Sequence, residues 1–255
     1  MSFIDDIIDV GKSAVGFLGG SGIGSALART AITGYALSKL SASINKDNQS
    51  KDTSYSRIQV DPDTEHKIPV VYGQAVVSGI VTDAALVNDN KSMYYVITLC
   101  EKTGNLNLGA GAASSFTFNQ IYWDDNLLAF DTDGITVINW TDRDGNVDTT
   151  PNGLIRVWCF AGNSTTPVVP TGYTNSSLIN AYSVMPDWTS NHTMSDLIFA
   201  IVRIDYNVED KKINQLGNMK FKLTNSMSLP GDCMYDYMTN TRYGAGLDPA
   251  EISVS

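Results

Sequence analysis

Residues Met93-Tyr94-Tyr95-Val96-Ile97-Thr98-Leu99-Cys100 form the most strand-like run in the chain. β-Branched and aromatic side chains favour the pleated, half-buried surface of a sheet. Asn88-Asp89-Asn90 precedes this run and offers a turn. In Met219-Lys220-Phe221-Lys222-Leu223 apolar and charged residues alternate, which indicates a strand with one buried and one solvated face. These two runs predict a mainly β fold.

Other runs between residues 66 and 255 have the same character. Asp133-Gly134 and Asp144-Gly145 are dipeptides typical of tight hairpins. Two helices are expected beside the sheets: Pro230–Thr241, in which proline occupies the first turn, and Ser176–Val184. The remaining predicted strands are Val70–Tyr72, Ala75–Val81, Phe116–Trp123, Ile135–Trp140, Leu154–Phe160, Leu197–Tyr206 and Met219–Thr224.

The first 65 residues differ from the rest. Residues 1–44 predict a helical, glycine-rich N-terminal arm, because apolar residues near its start recur at helical spacing opposite three aspartates. Residues 45–65 are polar and without periodicity, which predicts a linker to the β-rich region 66–255. The expected fold class is therefore mainly β (α+β), with barrel or sandwich domains, a helical N-terminal arm and a short C-terminal helix.

Small residues recur at four-residue spacing in the arm, at Gly16, Gly20, Gly24 and Ala28. In a helix they would share one face. Each glycine in a helix interior costs about 0.8–1 kcal/mol relative to alanine, and close packing against another helix can compensate. These residues are candidate helix-packing positions. A local loop and insertion into a membrane are the alternatives left open.

The composition argues against several functions. The net charge is −10, and the longest basic cluster is the pair Lys211-Lys212, which disfavours nucleic-acid binding. Cys100, Cys159 and Cys233 lie far apart within apolar runs, so we expect core thiols. With only two histidines and no metal-ligand spacing, no metal site and no cofactor are predicted.

Acidic pairs and tryptophans offer two rival functions. Asp124 and Asp125 form an acidic pair of the kind that could hydrolyse glycosides, but aspartate is also favoured in hairpin turns, and the turn is the preferred interpretation. Exposed Trp123, Trp140 and Trp188 would instead suit a carbohydrate-binding or adhesin-like β-sandwich. No nucleophile motif supports a hydrolase, so we expect a protein that is not an enzyme.

Several segments resemble the central tail-hub family of bacteriophages, the tip attachment proteins like that of phage lambda. Ile68–Val81 is similar to the opening strands of that family, with Ile-Pro, Tyr-Gly and Val-x-Gly in order. Tyr94–Glu101 and Phe118–Asp125 resemble a strand that ends in Leu-Cys-Glu and a strand containing Ile-Tyr-x-Asp-Asp. The chain departs from the family pattern at Lys102-Thr103, where glycine is usual.

The segment Leu229–Leu247 carries the most specific part of this resemblance. It is similar to a family helix and turn in which Tyr-Asp, Thr-Asn and Arg-Tyr-Gly-x-Gly follow in order, with Thr241 in place of the usual proline. Arg242 is expected to fix the turn by bonding carboxylates or carbonyls. The matching residues, which we expect to be structural, are Tyr235, Asp236, Thr239, Asn240, Arg242, Tyr243, Gly244 and Gly246.

The resemblance covers roughly residues 66–252 and implies a virion component at the tail tip or baseplate. It implies a homotrimer that joins the tail tube to the tip through oligomeric β-sheet contacts with neighbouring tail-tip or baseplate proteins. Contact of the N-terminal arm with the host membrane is a further expectation. Family members continue into further hub and fibre-like domains, so their receptor contacts are not carried over.

Overall fold

The computed structural model describes residues 67–88, 91–104, 114–174, 178–206, 213 and 215–252. These residues belong to a unit that spans Val60–Ser255. The predicted arm (1–44) and linker (45–65) lie outside the described residues, and so do the candidate packing positions Gly16, Gly20, Gly24 and Ala28.

The described part of the chain is built around two antiparallel sheets, which confirms the predicted mainly β fold class. One has six strands in the order β1-β11-β4-β5-β6-β7, and the other has five in the order β2-β3-β10-β8-β9. The strands are β1 (Gln74–Val77), β2 (Ile80–Val87), β3 (Ser92–Glu101), β4 (Phe116–Trp123), β5 (Asn126–Phe130), β6 (Val137–Thr141), β7 (Val147–Asp148), β8 (Ile155–Ala161), β9 (Pro167–Val168), β10 (Leu197–Asp205) and β11 (Met219–Asn225). The helices are α1 (Ala181–Val184), α2 (Pro230–Thr239) and a 3-10 turn at Pro249–Glu251.

The inner faces of the two sheets share one hydrophobic core, which makes the unit a β-sandwich. Alternate residues of β10 (Ile198, Ala200, Val202 and Ile204) point into this core. The six-stranded sheet contributes Phe118, Ile121, Trp123, Phe221 and Leu223, among others. The outer face of the five-stranded sheet is apolar too, and α1 packs on it through Ala181 and Val184. Because β3 is buried on both faces of the sheet, its sequence is an almost continuous apolar run.

A bulge in β4 changes which of its side chains point toward the core. The pairing of β4 with β11 shifts between Lys222 and Leu223, opposite Asn119. An extra residue reverses which side chains point inward. Phe118 is buried before the bulge, and Ile121 and Trp123 are buried after it.

The sandwich differs between its two sides. On one side the sheets are bonded together, with Thr136 bridged to Arg156 and the Val157 amide 2.9 Å from the Ile135 carbonyl oxygen. On the other side the chain passes directly from β1, at the edge of one sheet, to β2, at the edge of the other. Gly79 allows this passage, because it has a φ of +73° and a Cβ there would lie 2.7 Å from the Ile97 side chain.

The structure corrects three of the predicted elements. Ala75–Val81 is two strands rather than one, because the chain changes sheets at Gly79. Val70–Tyr72 is not a strand, and Val70 forms only an isolated bridge to Glu101. The predicted helix Ser176–Val184 shrinks to α1 among the described residues. The other predicted strands and the C-terminal helix are confirmed, with ends that differ by up to two residues.

Candidate functional site

The C-terminal helix and the turn after it hold the residues that match the family motif. Pro230 occupies the first turn of α2, where its missing N–H costs nothing, and Asp232 suits the positive end of the helix. The helix ends at Thr239, two residues earlier than predicted, and Asn240 caps it. The Asn240 side-chain oxygen accepts hydrogen bonds from the amides of Arg242 (2.8 Å) and Tyr243 (3.3 Å). These two bonds satisfy the amides after the helix end in place of a further helical turn.

The glycines of the motif let the turn fold back on the helix end. The Ala245 amide bonds the Tyr237 carbonyl oxygen at 2.9 Å, and the Gly246 amide bonds the Asn240 oxygen at 3.1 Å. A Cβ on Gly244 would lie 1.9 Å from the Tyr237 oxygen, so no other residue fits there. Gly246 has a φ of +66°, which glycine adopts without strain. The backbone therefore requires both glycines.

Asp236 is a fully buried carboxylate on the inner side of α2. Its Oδ2 accepts hydrogen bonds from the hydroxyls of Tyr72 and Tyr243, both at 2.6 Å, and its Oδ1 accepts one from the Gly104 amide at 3.2 Å. Burial, followed by the bond to Asp236, raises the pKa of both tyrosines above the usual value. These bonds tie α2 to the segment before β1 and to the loop after β3.

Arg242 fastens the turn to the C-terminal end of β3. Its Nε lies 2.9 Å from Glu101 Oε2, at the end of β3, and its guanidinium also bonds the Ser195 carbonyl oxygen at 3.2 Å. Asp196 lies 3.7 Å away. Burial raises the pKa of Glu101, and the Arg242 charge opposes that rise. The expectation that Arg242 bonds carboxylates or carbonyls is therefore confirmed, by an ion pair with Glu101 and a hydrogen bond to the Ser195 carbonyl oxygen.

Asn225 anchors a buried polar network beneath this helix–turn. Its amide nitrogen donates to the Val71 carbonyl oxygen at 2.7 Å and to the Thr103 hydroxyl at 2.6 Å, and Ser114 bonds Thr103 in turn. These residues were not predicted from the sequence. The available signal was an asparagine at the inward position of β11, next in alternation after Phe221 and Leu223.

The N-cap of α2, the outer side of the helix and the end of the turn expose large apolar side chains. Leu229 and Met234 are each 66% exposed, Tyr237 is 50% exposed and Leu247 is 39% exposed. We call these four residues the apolar stripe. Leu247 lies beside the helix end, because its amide bonds the Met238 carbonyl oxygen at 2.8 Å. The remaining motif residues, Tyr235 and Thr239, bond within the helix, where the Thr239 hydroxyl donates to the Tyr235 oxygen at 2.9 Å.

The acidic pair considered for glycoside hydrolysis, Asp124 and Asp125, forms structural contacts in a turn. Asp124 and Asp125 form the two-residue turn between β4 and β5, with φ of 46° and 69°, which confirms their turn role. Asp125 pairs with Arg143 at 2.7 Å and with Lys220, and the bond from Lys220 contributes most to lowering its pKa. Asp124 accepts a bond from the Asn218 amide at 2.7 Å.

The tryptophan and cysteine expectations need correction. Trp123 was expected to be exposed but is 4% exposed, because the bulge in β4 turns it into the core. Trp140 and Trp188 were also expected to be exposed but are half-buried. Trp140 stacks on Trp123 at 6.4 Å, and Trp188 stacks on His192 at 5.3 Å. Cys100 and Cys159 are buried as expected, but Cys233 is only half-buried on α2.

Among the described residues, no group of three or more His, Cys, Asp or Glu side chains could hold a metal ion. In the same part of the chain, no helix is long and apolar enough to cross a membrane. No protein-family model matches the sequence, and no curated protein is significantly similar to it.

Proposed function

We propose that this chain is a non-catalytic structural component of a phage tail tip or baseplate hub, where it joins the tail tube to the tip. Its partners are copies of itself, three according to the resemblance, together with the tail tube and neighbouring tail-tip or baseplate proteins. The N-terminal arm adds a contact with the host membrane. Its location is the virion.

The apolar stripe is the observation that carries this proposal. Isolated exposed apolar residues are common on soluble proteins, but Met234 and Tyr237 lie one helical turn apart on the same side of α2. Interface cores are enriched in aromatic residues and methionine. The stripe therefore has the composition of a protein–protein contact rather than of a catalytic cleft.

The opposite side of the same helix is built for rigidity. Asp236 and Arg242 fix α2 and its turn through contacts to Tyr72, Gly104 and Glu101, which are distant in sequence. A rigid surface loses little conformational entropy when a partner binds, which favours affinity. Leu229–Leu247, the segment with the most specific family resemblance, contains both the apolar stripe and these anchoring residues. The motif thus supports an assembly role.

The acidic side chains give further support to a structural role. Asp125 is neutralised by two basic side chains, and Asp133 accepts bonds from the amides of Ile135 and Thr136, both at 2.8 Å. Asp142 likewise accepts bonds from Asp144 and Asn146. Each of these carboxylates stabilises a turn or a strand pair.

Virus particles carrying Met234→Asp test the proposal. Because Met234 is exposed, the variant should fold with an unchanged melting temperature, while a charge in the stripe should block joining of tube and tip. Val147→Asp is the control, since Val147 is similarly exposed (62%) on β7 and lies outside the stripe. Electron microscopy should show incomplete tails for Met234→Asp alone, and gold-labelled antibody should mark the tail tip of wild-type particles. Normal tails in Met234→Asp, or no label on the virion, would refute the proposal.

A further inference from the structure

Met234 is the most exposed methionine in the described part of the chain. It is 66% exposed on α2, whereas Met185 and Met219 are each 3% exposed. A thioether must meet an oxidant directly, because the sulfur lone pair attacks the peroxide oxygen. Exposure therefore favours Met234 as a site of oxidation. The remaining described methionines are half-buried, namely Met93, Met194, Met227 and Met238.

The three cysteines compete poorly for the same oxidant. A thiol reacts with peroxide mainly as its thiolate, so a raised pKa and burial both slow the reaction. Cys100 and Cys159 are buried, and burial raises the pKa of Cys100 to about 12 and raises that of Cys159 as well. Burial, followed by the charges of Asp232 and Asp236, raises the pKa of Cys233. Peroxide chemistry on the described sulfur atoms is therefore concentrated at Met234.

Oxidation adds one oxygen atom to the Met234 side chain. The sulfur uses a lone pair to bond one oxygen of hydrogen peroxide, and the O–O bond breaks. The proton on the transferred oxygen moves to the departing hydroxide, which leaves as water. The sulfur is thereby oxidised and the peroxide reduced by the same electron pair. The product, methionine sulfoxide, is polar, and methionine sulfoxide reductases return it to the thioether.

A sulfoxide at Met234 would put a polar group inside the apolar stripe. Along α2, Met234 lies between Leu229 at the N-cap and Tyr237 one helical turn further on. Burying a polar oxygen against apolar side chains without a hydrogen-bond donor is unfavourable. The same oxygen is well hydrated while the stripe stays open to solvent. Oxidation should therefore weaken a contact made through the stripe and leave the fold of the sandwich intact.

We propose that Met234 is an oxidation site for peroxides, and that its sulfoxide blocks assembly through the apolar stripe until a reductase removes the oxygen. This inference rests on the proposed function, because it takes the stripe as the contact through which copies of the chain assemble. Oxidation has to precede assembly, since the partner covers Met234 once the contact has formed. The inference sets no condition on the number of copies.

Peptide mapping of the full-length chain after exposure to dilute hydrogen peroxide tests the site. In the dissociated chain, Met234 should gain an oxygen atom about tenfold faster than Met227, which is half-buried in the segment before α2. Raising the chain concentration until copies assemble should slow the oxidation of Met234 and leave that of Met227 unchanged. Equal rates at the two methionines, or a Met234 rate that assembly does not change, would overturn the inference.

Sedimentation equilibrium of the same samples tests the effect on assembly. Oxidation should raise the dissociation constant of the wild-type oligomer by about tenfold or more, and a methionine sulfoxide reductase should restore it. Met234→Leu keeps an apolar side chain of similar volume, so it should assemble like the wild type and no longer respond to peroxide. Met227→Leu is the matched control and should remain sensitive.

The outcomes separate this inference from the proposed function. If the oxidised wild type assembles as tightly as the untreated chain, or if peroxide weakens Met234→Leu equally, the inference fails and the proposed function stands. A wild-type chain that is monomeric at every concentration before oxidation would contradict both.

Discussion

Removing the tyrosine hydroxyls that bond Asp236 should destabilise the sandwich by an amount that follows from the structure. In Tyr243→Phe the buried carboxylate loses one of two 2.6 Å hydroxyl donors and keeps Tyr72 and the Gly104 amide. A hydrogen bond to a charged group contributes about 1.5–3 kcal/mol. Tyr243→Phe and Tyr72→Phe should therefore each lower the free energy of unfolding by about 1.5–3 kcal/mol.

The double variant should lose at least the sum, because Asp236 then keeps only the longer bond from the Gly104 amide at 3.2 Å. Urea denaturation of the full-length chain at fixed concentration measures each change. Tyr122→Phe is the control, since the Tyr122 hydroxyl bonds the neutral Gln120 side chain at 2.9 Å and should cost about 0.5–1.5 kcal/mol. If both Asp236 partners cost no more than Tyr122→Phe, the carboxylate does not hold the helix in place.

Three further changes test the same helix–turn. Burial and hydrogen bonding raise the pKa of both tyrosine partners of Asp236, so stability should be intact below about pH 10 and fall above it. The urea midpoint should fall less steeply with pH in the double phenylalanine variant. An identical fall would show that the two tyrosines do not cause the pH dependence. Gly244→Ala should lower the free energy of unfolding by more than about 2 kcal/mol, because the new Cβ would lie 1.9 Å from a carbonyl oxygen. Gly231→Ala is the control in thermal unfolding: its Cβ would meet nothing within 4 Å, so it should be neutral or stabilise by up to about 1 kcal/mol. Arg242→Ala should lower the free energy of unfolding by about 1–2 kcal/mol, because Glu101 stays buried without its partner. Adding Glu101→Gln should recover part of this loss in the same urea assay. If nothing is recovered, the ion pair does not contribute to stability.

Strands with strong local patterns could be read from the sequence, while changes of sheet could not. β4 was predicted with its observed ends, because aromatic and β-branched residues fill it and a turn follows. The predicted strand Ala75–Val81 merged most of β1 with the first two residues of β2, because Gly79 looks like one weak residue inside a strand when its contacts with β3 are unknown. β5 was missed because Asn126–Phe130 lacks alternation and β-branched residues.

The candidate site was predictable only in part, for a similar reason. The family resemblance singled out Asp236 and Arg242, and the expected bonds of Arg242 are present. It could not show that Tyr72 and Gly104 bond Asp236, because they lie more than a hundred residues away from it in sequence. Trp123 was misjudged because a bulge, which leaves no clear sequence signal, decides its direction.

The mass of the purified full-length chain in solution tests the assembly role most directly. Sedimentation velocity over a wide concentration range should show one discrete oligomer, well above the 27.6 kDa of a single chain. A folded chain that sediments at 27.6 kDa at every concentration would contradict the account, because the exposed stripe would then have no copy of the chain to assemble with.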